Sequence, residues 1–257
     1  MFKAILFDLD DTLLGTQMET FMPAYFQGIG SYVAHLISPE RLLPELMRAS
    51  RVMMGNDGSG PTNEEIFAAA FYPALGYERE ELEPVFEQFY AEGFPKLQPL
   101  TQQRPEARQL VEWGFERGLQ VVIATNPLFP RTAIEQRIAW AGAPVTEFDY
   151  ALVTTYEDMH ATKDHPAYYR EILARLGRQP SECLMVGDNW KWDVATPASV
   201  GIPAYWIADP GEAPGHRSES SPNGNVSLVG QGTLADLWGA LVGDLAQRLD
   251  GAGERGR

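Results

Sequence analysis

Apolar runs that stop abruptly at polar residues recur along the chain. Lys3–Phe7 (KAILF) leads into Asp8, Asp10 and Asp11, and Leu119–Ala124 (LQVVIA) leads into Thr125, Asn126 and Pro127. Tyr150–Thr154 (YALVT) is a third run, and Cys183–Val186 (CLMV) a fourth, ending in Gly187 and Asp188. Runs that are apolar throughout, with no alternation, predict strands buried on both faces. Ile202–Ile207 (IPAYWI) predicts a fifth strand, in which Pro203 marks an edge or the strand's start.

Helical periodicity fills the gaps. Pro105 suits the first turn of a helix with Ala107, Leu110 and Val111 on one stripe, and Arg131–Ala141 carries Ile134 and Ile138. Pro166–Leu176 places Tyr169, Ile172, Leu173 and Leu176 on one face before Gly177, and Leu234–Leu249 repeats the pattern. Strands alternating with helices predict an α/β fold, a Rossmann-like doubly wound parallel sheet. The alternation breaks once: Gln17–His35, Pro39–Met54, Asn63–Leu75 and Glu80–Glu92 all read as helices, and Thr62 with Glu65 forms a capping box for the third. The expected organisation is an α/β core at 1–15 and 97–250, an all-helical cap inserted after the first strand at 16–96, and a flexible tail at 251–257. Ala208–Gly232, rich in Gly, Pro, Ser and Asn, reads as a solvated linker.

Composition narrows the function classes. A chain of 257 residues, 44% hydrophobic, can bury a core without staples. Its 35 acidic against 20 basic residues give −15, a field that repels nucleic acid and anionic membrane, so neither is an expected partner. A single cysteine, Cys183, excludes an intrachain disulfide and a cysteine-built zinc site. The uncharged run Val194–Ala208 contains two prolines and falls short of the roughly 20 apolar residues that span a bilayer. No leader pattern precedes Asp8, and the expected location is cytoplasmic.

Ligands of open parallel sheets bind at the carboxyl ends of the strands. Those ends carry Asp8, Asp10, Thr12, Thr125, Asn126, Asp188 and Asp193, with Lys163 after the third run. Asp8 and Asp188 brought together would repel, which invites a hard cation with oxygen ligands; magnesium suits carboxylates, waters and a substrate phosphate. Asp8, Asp10, Asp188 and Asp193 against Lys163 leave −3, and Mg²⁺ brings that to −1, a field a phosphate dianion can approach.

Four features occur in order over residues 2–207: D-x-D-x-T at Asp8, Asp10 and Thr12; an apolar strand ending at Thr125; Lys163 ahead of the helix opened by Pro166; and G-D-x-x-x-x-D at Gly187, Asp188 and Asp193. Together they resemble the haloacid dehalogenase-like (HAD) superfamily, in its phosphatase branch, and the helical insertion resembles that family's C1-type cap. The resemblance implies Mg²⁺-dependent hydrolysis of a small-molecule phosphate monoester. Asp8 would be the nucleophile that forms an aspartyl-phosphate, and Asp10 the general acid and then base. The side chains of Asp8 and Asp188, with the backbone carbonyl of Asp10, would hold the metal, and Asp193 would orient its waters. Thr125 and Asn126 would donate to phosphoryl oxygens, and Lys163 would neutralise transition-state charge. An acid at position 10 points away from halide leaving groups. The partner implied is a small phosphorylated metabolite. A phosphoryl transferase or mutase, or a non-catalytic binding relative, is the alternative, and monomer and homodimer stay open.

The chain departs from the family pattern in places. Asp11 stands where glycine is frequent and reads as a turn acid facing solvent. Asp164 and His165 separate Lys163 from Pro166, which makes Lys191, inside the fourth motif, a competitor for its role. His160 and His165 read as loop residues, and Trp190 and Trp192 as packing. Candidates for specificity are the cap's Gln17, Glu19, Arg48, Arg51, Asn56 and Asp57. The cap's aromatics, among them Phe21, Tyr25, Phe26, Tyr32, Phe67, Phe71 and Tyr72, read as its own core.

Overall fold

The computed structural model describes residues 2–208 and 227–243. The chain opens with β1 (Ala4–Phe7), then a short strand β2 (Leu14–Thr16). Four helices follow: α1 (Met18–Tyr32), α2 (Pro39–Met54), α3 (Asn63–Leu75) and α4 (Arg79–Gln88), the last widening into a π-helical turn at Phe89–Gly93. A 3-10 segment, Phe94–Leu100, leads into β3 (Thr101–Gln103). Then α5 (Pro105–Glu116), β4 (Gln120–Ile123), α6 (Arg131–Trp140), β5 (Leu152–Val153), α7 (Pro166–Leu176), β6 (Cys183–Gly187), α8 (Thr196–Ser199) and β7 (Ala204–Ile207) alternate, before β8 (Leu228–Gly232) and α9 (Leu234–Val242).

Six strands form one parallel sheet in the order β5-β4-β1-β6-β7-β8. This is the α/β, Rossmann-like architecture the alternation predicts. Side chains leave a strand on alternate faces. Ile5, Phe7, Val121, Ile123, Leu184 and Val186 therefore join one core with α5, α6 and α9. Ala4, Leu6, Val122, Cys183 and Met185 join a second core with α7. Both faces are covered, which is why the strands read as unbroken apolar runs. Cys183 is one such buried strand residue.

The register fixes where chemistry can collect. Phe7 pairs with Ile123 of β4 and with Val186 of β6. The three central strands thus end level, and Asp8, Thr125 and Asp188 emerge at one edge of the sheet.

One expectation for the C-terminal third needs correction, and one alternative is decided. Leu228–Gly232 is not linker: it pairs with β7 as the sheet's outermost strand. β7 is consequently flanked on both sides, so Pro203 marks a strand start and not an edge. The residues from 209 to 226, the second half of the Leu234–Leu249 helix and the tail at 251–257 lie outside the described residues.

Helices α1–α4 share a third apolar core of their own, which also takes in Phe94, Leu97 and Ala133. The helix boundaries follow local signals. Thr62 accepts from the Glu65 amide while the Glu65 side chain accepts from the Thr62 amide, the reciprocal cap that opens α3. Gly76, at φ 73°, closes that helix in the left-handed conformation. β2 and β3 pair antiparallel where the chain leaves and re-enters the α/β layer. The buried Asn63 side chain ties α3 to the α/β layer by donating to the carbonyls of Pro127 and Ala161. Among the described residues no helix is long and apolar enough to cross a membrane.

Candidate active site

Asp8 follows β1 directly, and its carboxylate is buried. Lys163, 1% exposed, places its Nζ 2.5 Å from Asp8 Oδ1 and 2.7 Å from Asp193 Oδ1. Lys191 instead stands on the surface, paired with Asp164 at 2.9 Å. The longer spacing between Lys163 and Pro166 does not remove Lys163 from the site.

Asp188 ends β6, and Thr12 stitches it to Asp8. The Thr12 hydroxyl lies 3.3 Å from Asp8 Oδ2 and 3.4 Å from Asp188 Oδ1, and accepts from the Asp188 amide at 3.1 Å. Asp193 reaches back under the strand end, its Oδ2 accepting from the Asn189 amide at 3.0 Å. That approach requires Gly187: a Cβ there would lie 2.4 Å from the Asp193 carboxyl. Asp8, Asp188 and Asp193 each offer an oxygen, all within 4.8 Å of one another.

Electrostatics follow from this crowding. Burial pushes the Asp8 carboxyl well above its ordinary range, against the pull of Lys163, with Asp193 and Asp188 adding to the rise. Asp188 is pushed up to about 7, by burial first and then by Asp193. Burial also raises Asp193, despite Lys163 beside it. Burial would lower the Lys163 ammonium, but Asp193 and Asp8 outweigh it and hold it above the usual lysine range. One ammonium does not neutralise the cluster. A hard cation fits these residues, because the donors are carboxylate oxygens and their excess negative charge is unsolvated. Both oxygens of Asp193 accept protein hydrogen bonds, from Lys163 and from the Asn189 amide, and both oxygens of Asp8 are likewise contacted, by Lys163 and Thr12.

Thr125 and Asn126 follow β4 and line the same cavity, of about 310 Å³, as Asp8, Lys163 and Asp188. Asn126 Oδ1 accepts from the Lys163 amide at 3.3 Å, and its buried Nδ2 has no partner among the described residues. An unpaired buried donor beside an ammonium suits an anion.

Asp10 stands apart from this cluster. Its Oδ1 accepts from the Thr16 hydroxyl at 3.1 Å, and its Oδ2 is ion-paired with Arg137. Arg137 escaped the sequence reading. It lies on α6, 1% exposed, with its guanidinium 4.7 Å from the centre of the Phe129 ring. Its Nη2 also lacks a partner among the described residues. The signal was present: Ala133, Ile134, Arg137 and Ile138 form one buried stripe, and a cation on such a stripe needs an anion. Arg137 changes the local balance from −3 to −2.

Asp11 does not face solvent as a mere turn acid. It adopts φ 56°, the left-handed region glycine favours, and its Oδ1 accepts from the Thr16 amide at 2.9 Å. His160 pairs with Glu171 at 2.9 Å, and Trp190 packs edge-on against Trp206, as loop and packing residues do. Trp192, by contrast, lines the acidic cavity while donating to Asp164.

A second cavity, of about 280 Å³, lies between the helical insertion and the α/β layer, which contributes Leu128, Phe129, Pro130 and Tyr156. Met22, Leu128 and Phe129 line both cavities and so form their common wall. Of the six polar candidates for specificity, each read by default as a solvated side chain, only Arg51 lines either cavity. Tyr25, Phe26, Phe67, Phe71 and Tyr72, read as core alone, line the second one.

The chain matches the family model of the haloacid dehalogenase-like hydrolases over residues 2–201. It is 27% identical over 205 residues to pyrophosphatase PpaX of Bacillus velezensis, covering 80% of this chain and 82% of that one. Among solved structures, a HAD phosphatase from Thermococcus onnurineus superposes with a TM-score of 0.56 at 25% identity, over 94% of this chain and 98% of its own. A 2-haloacid dehalogenase from Pseudomonas syringae pv. Tomato superposes with a TM-score of 0.60 at 19% identity, over 94% and 99%, a likeness of fold.

Proposed function

Because this chain belongs to the haloacid dehalogenase-like hydrolase family, we propose that it hydrolyses a small-molecule phosphate monoester, with Mg²⁺, through an aspartyl-phosphate on Asp8. The observation that carries this reading is the buried Lys163 bridging Asp8 and Asp193 at 2.5 and 2.7 Å, with Asp188 in the same acidic cluster. The curated relative named as a pyrophosphatase supports cleavage of a phosphorus–oxygen bond.

In this reading Asp8 attacks phosphorus, and the bond from phosphorus to the ester oxygen breaks. Asp10 gives that oxygen its proton, so the first product leaves as a neutral alcohol. Water then attacks the phosphorus of the aspartyl-phosphate, Asp10 takes its proton, and inorganic phosphate and the Asp8 carboxylate are regenerated. Lys163 and the Asn126 amide steady the phosphoryl oxygens, and Thr125 donates alongside them. Asp8, Asp188 and the Asp10 carbonyl would hold Mg²⁺, with Asp193 orienting its waters. When bound, the ion offsets the charge of the carboxylates and of the phosphoryl group. The helical insertion acts as a cap that keeps bulk water from the intermediate. Both oxygens of Asp10 are engaged, by Thr16 and by Arg137, so one of these contacts has to yield for Asp10 to hold and pass the proton.

A dehalogenase shares the fold, but a halide leaves unprotonated and gives Asp10 no work. Phosphate release is the test, measured with Mg²⁺ and again after chelation. The expected result is release that chelation abolishes. Asp8→Asn should cut it by about 10⁴-fold or more. That variant should melt no lower than the parent, since it removes one carboxylate from a crowded, buried site. Normal turnover by Asp8→Asn would overturn the assignment.

A further inference from the structure

The geometry points to a substrate class: the phosphate monoester of an apolar alcohol, its phosphoryl group at Asp8 and its hydrocarbon part in the aromatic cavity of the helical insertion. The inference rests on the phosphatase reading and goes beyond it by naming the leaving group.

Three observations carry it. The two cavities adjoin at Met22, Leu128 and Phe129, which line both, so a leaving group that passes these side chains enters the second cavity. The inner cavity, of about 280 Å³, is walled mainly by aromatic and aliphatic side chains of the insertion. Its polar side chains are few: the hydroxyls of Tyr25 and Tyr90 bond to each other at 2.9 Å, Ser50 donates to the Leu46 carbonyl at 2.8 Å, and Arg51, Tyr72 and Tyr156 complete the set.

These features discriminate between leaving groups. A sugar placed there would surrender its hydrogen bonds to water and find few partners, a loss for each buried hydroxyl. Inorganic pyrophosphate would meet a single cation, Arg51, in a wall that is otherwise mainly aromatic and aliphatic. A hydrocarbon gains instead, by leaving water for an apolar wall. Hydrolysis of such an ester yields inorganic phosphate and a free apolar alcohol, the proton on its oxygen coming from Asp10.

The test uses the full chain with Mg²⁺ and compares ethyl, butyl and hexyl phosphate with glucose 6-phosphate. Each buried methylene should raise kcat/KM about three- to fourfold, so that hexyl exceeds ethyl phosphate by roughly 100-fold, mainly through KM. Hexylphosphonate should bind at least about tenfold more tightly than ethylphosphonate in calorimetry. Ser50→Phe, which puts a ring on the cavity wall, should collapse the hexyl-to-ethyl ratio measured within one preparation. A flat series, or a preference for the sugar ester, would overturn the substrate class while leaving the phosphatase standing. Absence of release from every ester would overturn both.

Discussion

Two adjoining cavities of similar volume, about 310 and 280 Å³, are built on opposite principles. The one at the strand ends gathers charges that cost stability and are held by specific partners: Thr12 between Asp8 and Asp188, Lys163 between Asp8 and Asp193, Arg137 on Asp10. The one in the helical insertion is held by ring packing, such as Phe67 stacked on Phe71 at 4.9 Å and Tyr25 edge-on to Phe129 at 5.3 Å. In the first, a single atom decides function. In the second, shape and volume decide, and individual residues can be exchanged at modest cost. The two principles meet at Met22, Leu128 and Phe129, which line both cavities.

The sharpest way to break this contrast is Lys163→Met. If the acidic cavity is under electrostatic tension, removing the ammonium leaves Asp8 and Asp193 buried together without a counter-charge. The expected cost is about 3–5 kcal/mol of stability, read by denaturant unfolding. Phosphate release should fall by about 10²–10³-fold. A variant that unfolds at the parent's midpoint would show that the cluster carries no such tension.

A second, smaller effect is pH dependence in metal-free buffer. Asp188 keeps its proton up to about 7 in the folded chain, whereas an unfolded aspartate loses it near about 4. Between those values the folded state binds more protons than the unfolded one, so stability falls as pH rises. The expected loss from about pH 4 to pH 7 is on the order of 2 kcal/mol. Mg²⁺ at about 100 times its Kd should restore about 2.7 kcal/mol near pH 7. Melting curves with and without the ion measure both. A metal-free stability that is flat across this window would contradict the raised carboxyls.

The same contrast decides what the sequence made legible. Strand-end chemistry is local in sequence: an apolar run names the strand, its last residue names the edge, and Asp8, Thr125 and Asp188 follow at once. The fold followed from the same runs, and caps such as Thr62 with Glu65 and stops such as Gly177 fell where local rules put them. Three-residue β2 and β3 were invisible because each is too short to show a period, and they pair across the whole insertion. β8 was misread because Leu228–Gly232 contains two glycines and a glutamine, and only its pairing with β7 makes it a strand. Arg137 was passed over because its partner, Asp10, lies 127 positions away. The inner cavity was illegible for a different reason. In sequence, an aromatic residue that lines a cavity and one that fills a core obey the same helical period.

The finest test of the contrast sits at the start of α3, where neighbouring residues serve different regions. Thr62 caps the helix, its side chain bonding within its own turn to Glu65. Asn63, 0% exposed, bonds to Pro127 beside the strand-end site, to Ala161 two residues before Lys163, and accepts from Asn56 at 2.8 Å. Thr62→Ala should cost about 1 kcal/mol, the usual worth of a cap, and leave kcat alone. Asn63→Ala strands two buried carbonyls and should cost about 1–3 kcal/mol. It should also raise KM, because it unties the insertion from the loops that carry Asn126 and Lys163. Stability and steady-state kinetics of the pair measure both. Equal kinetics in the two variants would mean that the insertion and the strand-end site are packed together without being coupled, and that Asn63 serves the fold alone.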